Sequence, residues 1–466
     1  MWYFLSDEAH SRRRIHFISL YGTVEPFISK LGTEKNMSRR KNVMASKNCT
    51  RVLSVALSLL LILFFSVSAQ SQQKVIKIGA VYPLTGNIAS TGLDCKRGVD
   101  LAVDIINGKY DLDLPLAKSA GLPNLGGAKI EMVYADTKGD PKNGMSEAER
   151  LITSENVVAM LGAYQSAVTK TASQITERLR IPYVCSDSSS PTLTERGFKY
   201  FFRVSPHDDI FARDQFQFLK DLEKKTGQAV HNIAVLYENT EFGSNAGKAY
   251  KKYAAEFGYK VVADITYTAN ATDVTSEVGK LIVSKPDVLM HASYITDAIL
   301  FTKTFKEMGF QPKGIMTMAG YIEPGYLPSV KADGNYIIVR STFALDLAKK
   351  KPLIGKVNAL FKKKYGIDMS ENAARSFMAP FVLAEAINRA KSTAPEAIVK
   401  ALHETDIPGS QTIYPWKGIK FDPQTNQNIY ARGTLVQILN QEYVTIWPFD
   451  SASKPVVWPF PAWKGR

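Results

Sequence analysis

From Lys74 onward, short apolar runs rich in β-branched residues alternate with longer segments whose apolar positions recur at helical spacing. Val75–Val81 reads as a buried strand, and Gly92–Ile106 as a helix with Val99, Ala102, Val103 and Ile106 on one face. Lys129–Tyr134 is the next strand. Asp140 and Pro141 then supply an N-cap and a first-turn proline for a helix reaching about Ser154. Val157–Gly162 and Ile181–Cys185 are strands on either side of a Ser166–Leu179 helix, and Phe201–Val204 is a further short strand. The alternation resumes with strands near Ile233–Leu236, Lys260–Thr266, Val288–His291 and Gly314–Met318. Helices near Asp208–Lys224, Ser244–Phe257, Val274–Ser284 and Asp297–Met308 are interleaved with them. Strands separated by helices predict parallel sheet built from right-handed βαβ units, and two blocks of similar size predict an α/β fold with two doubly wound lobes.

After Asn335 the pattern turns helical over Leu353–Lys364, Glu371–Ala390 and Pro395–His403, with a strand pair expected near Gly418–Phe421 and Gly433–Gln441. A chain that returns to helices after completing a second sheet is expected to cross back and cover the first lobe. Two stretches break the rhythm. Lys109–Gly127, rich in Pro, Gly and Leu, is longer than an ordinary connection and reads as surface decoration or as a functional flap. Trp447–Arg466 sets Trp447, Trp458, Trp463, Phe449 and Phe460 among prolines that bar regular structure. Its aromatics are expected to pack on the outside of a lobe, with a docking surface for a partner as the alternative.

Composition changes this picture little. The chain has 466 residues, 45% hydrophobic and 22% charged, which is globular and excludes a disordered or collagen-like chain. A net charge of +14 would invite a nucleic-acid partner, but residues 1–69 hold 10 Lys/Arg against 4 Asp/Glu, leaving +8 on the rest. No nucleic-acid partner is expected from so modest an excess. The same leader carries the uncharged run Val52–Ala69, preceded by Arg39, Arg40, Lys41, Lys47 and Arg51 and ending in small residues, with Val67 and Ala69 in the −3 and −1 places. This reads as a signal peptide over residues 37–69, cut near Ala69, and therefore as an exported, periplasmic protein. The run is also just long enough to span a bilayer, but its Ser-rich exit suits a peptidase better. Residues 1–36 fit neither pattern and read as an upstream extension of a mis-called start, with Met37 or Met44 better placed.

Reaction chemistry has no visible constellation. No Gly-x-Gly-x-x-Gly follows the first strand, Gly121–Gly127 lacks the Lys-Ser/Thr of a phosphate loop, and there is no His-Glu-x-x-His or Gly-x-Ser-x-Gly. Six histidines form no ligand cluster, and His291, inside a core strand, reads as a core residue. Neither a cofactor nor a metal is expected. Cys95 and Cys185 read as buried free thiols, although export would permit a disulfide. The leading class is a binding protein, not an enzyme.

In doubly wound sheets ligands sit at the carboxyl ends of strands, where helix N-termini point. Three polar loops occupy such places: Gly162-Ala163-Tyr164-Gln165-Ser166, Ser186-Asp187-Ser188-Ser189-Ser190-Pro191, and Ser293-Tyr294-Ile295-Thr296-Asp297. Ser166 is expected to cap its helix, where its hydroxyl and the following N–H groups suit a carboxylate. These loops, together with Val75–Gly86, the Asp-x-x-x-Asp-Pro-Lys of Asp136–Lys142, Leu161–Thr169 and Ile181–Gly197, resemble the type I periplasmic solute-binding proteins. The similarity is greatest to the leucine/isoleucine/valine-binding group that feeds ATP-driven importers, and covers roughly residues 74–445.

The resemblance implies two Rossmann-like lobes joined by three crossovers, with residues 74–203 and 340–432 in lobe 1, 204–339 and 433–450 in lobe 2, and 451–466 as a tail. It also implies a small-molecule ligand, an amino acid of the branched-chain or a similar kind, trapped by hinge closure and delivered to a membrane permease. By the same resemblance Ser166 holds the ligand carboxylate, Ser188 offers its backbone carbonyl to the ammonium, Ser189 contacts both charged groups, and Tyr294 closes the cage from the second lobe. Phe242 falls where the family has an aromatic wall, and Tyr82 and Tyr164 are expected to line the cleft. Two positions depart from the pattern. Ala319 stands where the family's amino-acid binders carry the acid that pairs with the ammonium, with Asp187 or Glu323 as substitutes. Gln165 stands where close relatives carry a disulfide cysteine. The first departure leaves amides, urea-like compounds or aromatic carboxylates as alternative ligands, and a ligand sensor as an alternative role.

Overall fold

The computed structural model describes residues 74–465, so the expected leader and signal peptide lie outside the described residues. The first block of the chain forms β1 (Val75–Tyr82), α1 (Ala89–Asn107), β2 (Lys129–Asp136), α2 (Pro141–Thr153), β3 (Ala159–Gly162), α3 (Ser166–Arg178), β4 (Tyr183–Cys185) and β5 (Phe201–Arg203). Its strands make a five-stranded sheet in the order β2-β1-β3-β4-β5, every pair parallel. The Asp140 N-cap forms as expected: its Oδ1 accepts from the N–H groups of Lys142 and Asn143, each at 2.9 Å.

The second block runs through α4 (Asp208–Thr226), β6 (Asn232–Glu238), α5 (Glu241–Glu256), β7 (Lys260–Tyr267), α6 (Thr275–Ser284), β8 (Val288–Ser293), α7 (Ile295–Glu307), β9 (Gly314–Ala319), α8 (Tyr326–Val330) and β10 (Ile338–Ser341). The chain then leaves for α9 (Pro352–Tyr365), α10 (Glu371–Ala390) and α11 (Pro395–His403). The short ribbon β11 (Asp406–Pro408) and β12 (Gly418–Lys420) follows, and the chain returns as β13 (Thr434–Leu439) and β14 (Glu442–Trp447). The second sheet has the order β14-β13-β10-β9-β8-β6-β7, parallel from β10 to β7 and antiparallel where β13 and β14 join.

Three sequence expectations are corrected here. The segments near Gly418–Phe421 and Gly433–Gln441 do not pair with one another: β12 pairs with β11, and β13 is inserted between β10 and β14. The sequence pattern also missed β10, a short strand interrupted by a buried arginine, whose end at Ser341 carries the second sheet just past residue 340. Finally, Lys109–Gly127 is no flap. Leu112, Leu114, Ala117 and Leu122 are buried in the core, and the Gly121 N–H donates to Ile106 O at 2.7 Å.

α10 packs along α1 so closely that a Cβ on Gly98 would lie 2.1 Å from Ala373 O. That contact returns the late helices to the first lobe. Two of the three crossovers are tied together by side chains. Buried Arg203 donates from Nε to Gln427 Oε1 (2.6 Å) and from Nη1 to Ser190 O (2.5 Å), while Gln427 Nε2 donates to Ser205 O at 2.8 Å. Neutral acceptors hold this guanidinium, and burial pulls it down to about 10. The tail lies against the second lobe: Trp458 covers Gly314, and the Trp463 Nε1–H donates to Phe310 O at 2.8 Å.

Candidate functional site

The carboxyl ends of the two sheets face one another across a cleft that the lobes have closed. Lobe 1 contributes Tyr164, Ser166, Asp187 and Ser189, and lobe 2 contributes Phe242, Tyr294, Ala319 and Arg340. Together they line a narrow, partly open space of about 10 Å³, room for about one water molecule. Five of the seven expected residues thus meet in one place.

Ser166 is the first residue of α3, whose N-cap is Gln165, so the expected capping role is corrected. The Ser166 hydroxyl instead accepts from the Ser190 N–H at 3.2 Å, joining the two serine loops. The Ser188 hydroxyl points away from the cavity, 2.8 and 3.0 Å from the carbonyl oxygens of Ala163 and Tyr164 and 2.6 Å from the Thr169 hydroxyl. Tyr82 stands behind the wall, where its hydroxyl donates to Asp187 Oδ2 at 3.1 Å. Tyr164 and Tyr294 meet across the cleft with ring centroids 5.8 Å apart, and Phe242 lies 5.2 Å from Tyr294. Phe242 is held there by Glu238, whose Oε1 accepts from the Gly243 N–H at 2.8 Å and from the Thr240 hydroxyl at 2.7 Å. A Cβ on Gly243 would lie 2.1 Å from Glu238 O, so this turn requires glycine.

Of the two substitutes for the missing acid, only Asp187 borders the cavity. It is 3% exposed, and its carboxylate accepts from the hydroxyls of Tyr82, Ser186 (3.1 Å) and Ser376 (2.9 Å). Burial pushes its carboxyl up to about 6, against the pull of the Arg375 guanidinium. Glu323 sits beside the cavity and bridges the lobes instead. Its Oε1 accepts from the Tyr164 hydroxyl at 2.7 Å and its Oε2 from Thr91. A second bridge at the rim joins Lys170 Nζ to Glu241 Oε2 at 2.8 Å.

Sequence reasoning missed Arg340 and Asp208. Arg340 is a single charge in the apolar run Ile337–Ser341, which is the signal that could have found it. Asp208 opens α4 behind Ser189, and its N–H donates to Ser189 O at 2.8 Å. Its two carboxyl oxygens are buried without a hydrogen-bond partner. Elsewhere, His291 is a core residue, its Nδ1 2.7 Å from the Tyr321 hydroxyl, and burial pulls it down to about 3. Cys95 and Cys185 are buried and free. Among the described residues no group of His, Cys, Asp and Glu is arranged to hold a metal ion, and no helix is long and apolar enough to cross a membrane.

The sequence profile of the periplasmic binding protein family matches residues 75–441. The chain belongs to that family. This binding protein is similar to the Leu/Ile/Val-binding protein homolog 7 of Brucella suis biovar 1, with 29% identity over 389 residues, 81% of this chain and 92% of the relative. Among solved structures, its fold resembles LivJ of Streptococcus pneumoniae in complex with isoleucine, with TM-score 0.67, 21% identity, 83% of this chain and all of that one. It also resembles a solute-binding protein of an ABC transporter from Rhodopseudomonas palustris BisB5 bound to 3,4-dihydroxybenzoic acid, with TM-score 0.64, 19% identity, 79% of this chain and 95% of that one. The fold therefore carries both kinds of ligand, and the lining residues must decide between them.

Proposed function

We propose that this protein is the exported, periplasmic solute-binding component of an ATP-driven importer, and that it holds an amino acid, of the branched-chain or a similar kind, between its lobes. It carries out no reaction; its partners are the ligand and a membrane permease. The observation that carries this reading is the narrow cleft between the lobes that Ser166 and Ser189 of lobe 1 line together with Tyr294 and Phe242 of lobe 2. Ser166 and Ser189 receive the carboxylate, and the part of Ser188 is played by its main chain, since its hydroxyl is engaged. Asp187 supplies the countercharge that Ala319 lacks, because an ammonium buried without one is strongly disfavoured. Differential contact with the closed form drives closure, and the permease reads the closed form.

Ala319 favours a second reading, in which the ligand has no ammonium and is an amide, a urea-like compound or an aromatic carboxylate, or in which the protein is a ligand sensor. A thermal-shift panel on residues 74–466 separates the two. A compound present at about 100 times its Kd stabilises by about 2.7 kcal/mol. Shifts with L-amino acids support the first reading, and shifts confined to amides or aromatic acids overturn it.

A further inference from the structure

Arg340 borders the cavity from lobe 2 at 2% exposure. Its guanidinium lies over the Phe211 ring, 4.5 Å from the centroid, and its Nη1 is 3.2 Å from Glu371 Oε1. It is therefore held in place and cannot swing to solvent. Glu371 also faces Arg375, whose Nε is 3.8 Å from the same oxygen, so two guanidiniums share one carboxylate. The Nε–H of Arg340 is buried without an acceptor. A buried donor left unpaired is costly, and native structures rarely keep one without a use.

Nearby, Asp208 presents the opposite deficiency. It is fully buried, and neither of its carboxyl oxygens has a partner, although the Ser189 hydroxyl lies beside it. The unfilled Arg340 donor thus borders a cavity whose remaining lobe 2 wall is Phe242, Tyr294 and Ala319, and Asp208 stands behind the lining residue Ser189. An aliphatic side chain packed against that wall would desolvate the Arg340 guanidinium and give it no acceptor. A carboxamide supplies a carbonyl oxygen to Arg340 without setting a second carboxylate near Asp208, which already faces that guanidinium.

We propose that Arg340 determines specificity by receiving an oxygen acceptor on the ligand's side group, so that the amino acid held here ends in a carboxamide and is not aliphatic. This rests on the amino-acid reading above but replaces its branched-chain members with those that end in a carboxamide. Leucine, asparagine and aspartate have nearly the same shape and differ in what they offer Arg340, as do methionine, glutamine and glutamate one methylene longer. Calorimetric titration of residues 74–466 with these six is the test. Asparagine or glutamine is expected to bind roughly ten- to hundredfold tighter than its aliphatic counterpart, the range for a hydrogen bond to a buried charge. In Arg340→Met that preference is expected to fall to within about threefold, and in Arg340→Lys to be partly kept. The unliganded melting curves of both variants report whether they fold, and the wild-type comparison decides the matter even if neither does. Leucine or methionine binding as tightly as its amide counterpart overturns the proposal while leaving the amino-acid reading standing. A preference for aspartate or glutamate over the amides keeps Arg340 in its role and overturns the part given to Asp208. Binding of none of the six overturns the proposal, and binding of no other amino acid either overturns the reading beneath it.

Discussion

Glu323 makes closure of the cleft sensitive to pH. It belongs to lobe 2, is 1% exposed, and is bonded to Thr91 of α1 and to Tyr164 of the loop before α3, both in lobe 1. Arg340 of β10 pulls its carboxyl down and Glu371 of α10 pushes it up. Burial in the closed form pushes its carboxyl from 4.5 up to about 7, and the hydroxyls of Thr91 and Tyr164 oppose that rise only in part. When the lobes part, the carboxyl returns to water and to an ordinary value. The closed form therefore binds the proton more tightly than the open form. Closure is fully favoured below about 4.5, loses ground as pH rises, and reaches its full penalty above about 7. At about 1.4 kcal/mol per tenfold change in proton affinity, the penalty is about 3 kcal/mol. Ligand affinity is coupled to closure, so Kd is expected to weaken by as much as about a hundredfold between pH 5 and pH 8. Glu323→Gln keeps the shape and cannot ionise, and its Kd is expected to vary far less over the same range. Calorimetry on both proteins at four pH values checks this. A wild-type Kd that is flat from pH 5 to 8, or a variant that follows the wild type through the whole range, refutes the reasoning.

Two further outcomes follow from the packing and the rim. Gly98→Ala forces a Cβ to 2.1 Å from Ala373 O, so α1 and α10 must separate; a loss of about 1–3 kcal/mol is expected, seen as a lower midpoint in urea with an unchanged slope. Glu241→Gln removes the charge facing Lys170 but keeps an oxygen for the Thr192 and Ser190 hydroxyls at 2.7 and 3.3 Å, and the lysine is 43% exposed and the pair is screened. The expected cost is about 0.5 kcal/mol or less, roughly a twofold weaker Kd that salt erases; a tenfold change at high salt would contradict it.

Most of the fold was legible because burial imposes its period on the sequence. α10 and α11 run over the expected Glu371–Ala390 and Pro395–His403, where apolar faces are long and Ser370 and Pro395 mark the starts. The central strands β1, β3, β6, β8 and β9 were found because their residues are nearly all apolar and mostly buried. The failures have separate causes. β10 escaped because Arg340 breaks a short run, and the false pairing of β12 with β13 arose because hydrogen-bonding partners across a crossover leave no local trace. Ser166, Ser189, Tyr164, Phe242 and Tyr294 come together in the candidate site because each follows a strand end, where the fold places its loops. Tyr82, at the end of β1, turns inward to Asp187, and side-chain direction at a strand end is not written in a period; the Ser188 hydroxyl also turns away, which leaves its expected main-chain role open. Asp208 could not be found at all, since an acid at a helix start is ordinary on any surface and only burial makes it unusual.

The central claim is that lobe 1 grips an amino acid by its carboxylate through Ser166. The direct measurement is a calorimetric titration of residues 74–466 with the amino acid giving the largest thermal shift, in the wild type and in Ser166→Ala. One saturable site is expected in the wild type. The variant is expected to melt, unliganded, at close to the wild-type temperature and to bind at least about tenfold more weakly, from loss of a hydrogen bond to a charged group. Equal affinity in the two proteins, or no binding of any amino acid by the wild type, would contradict the account.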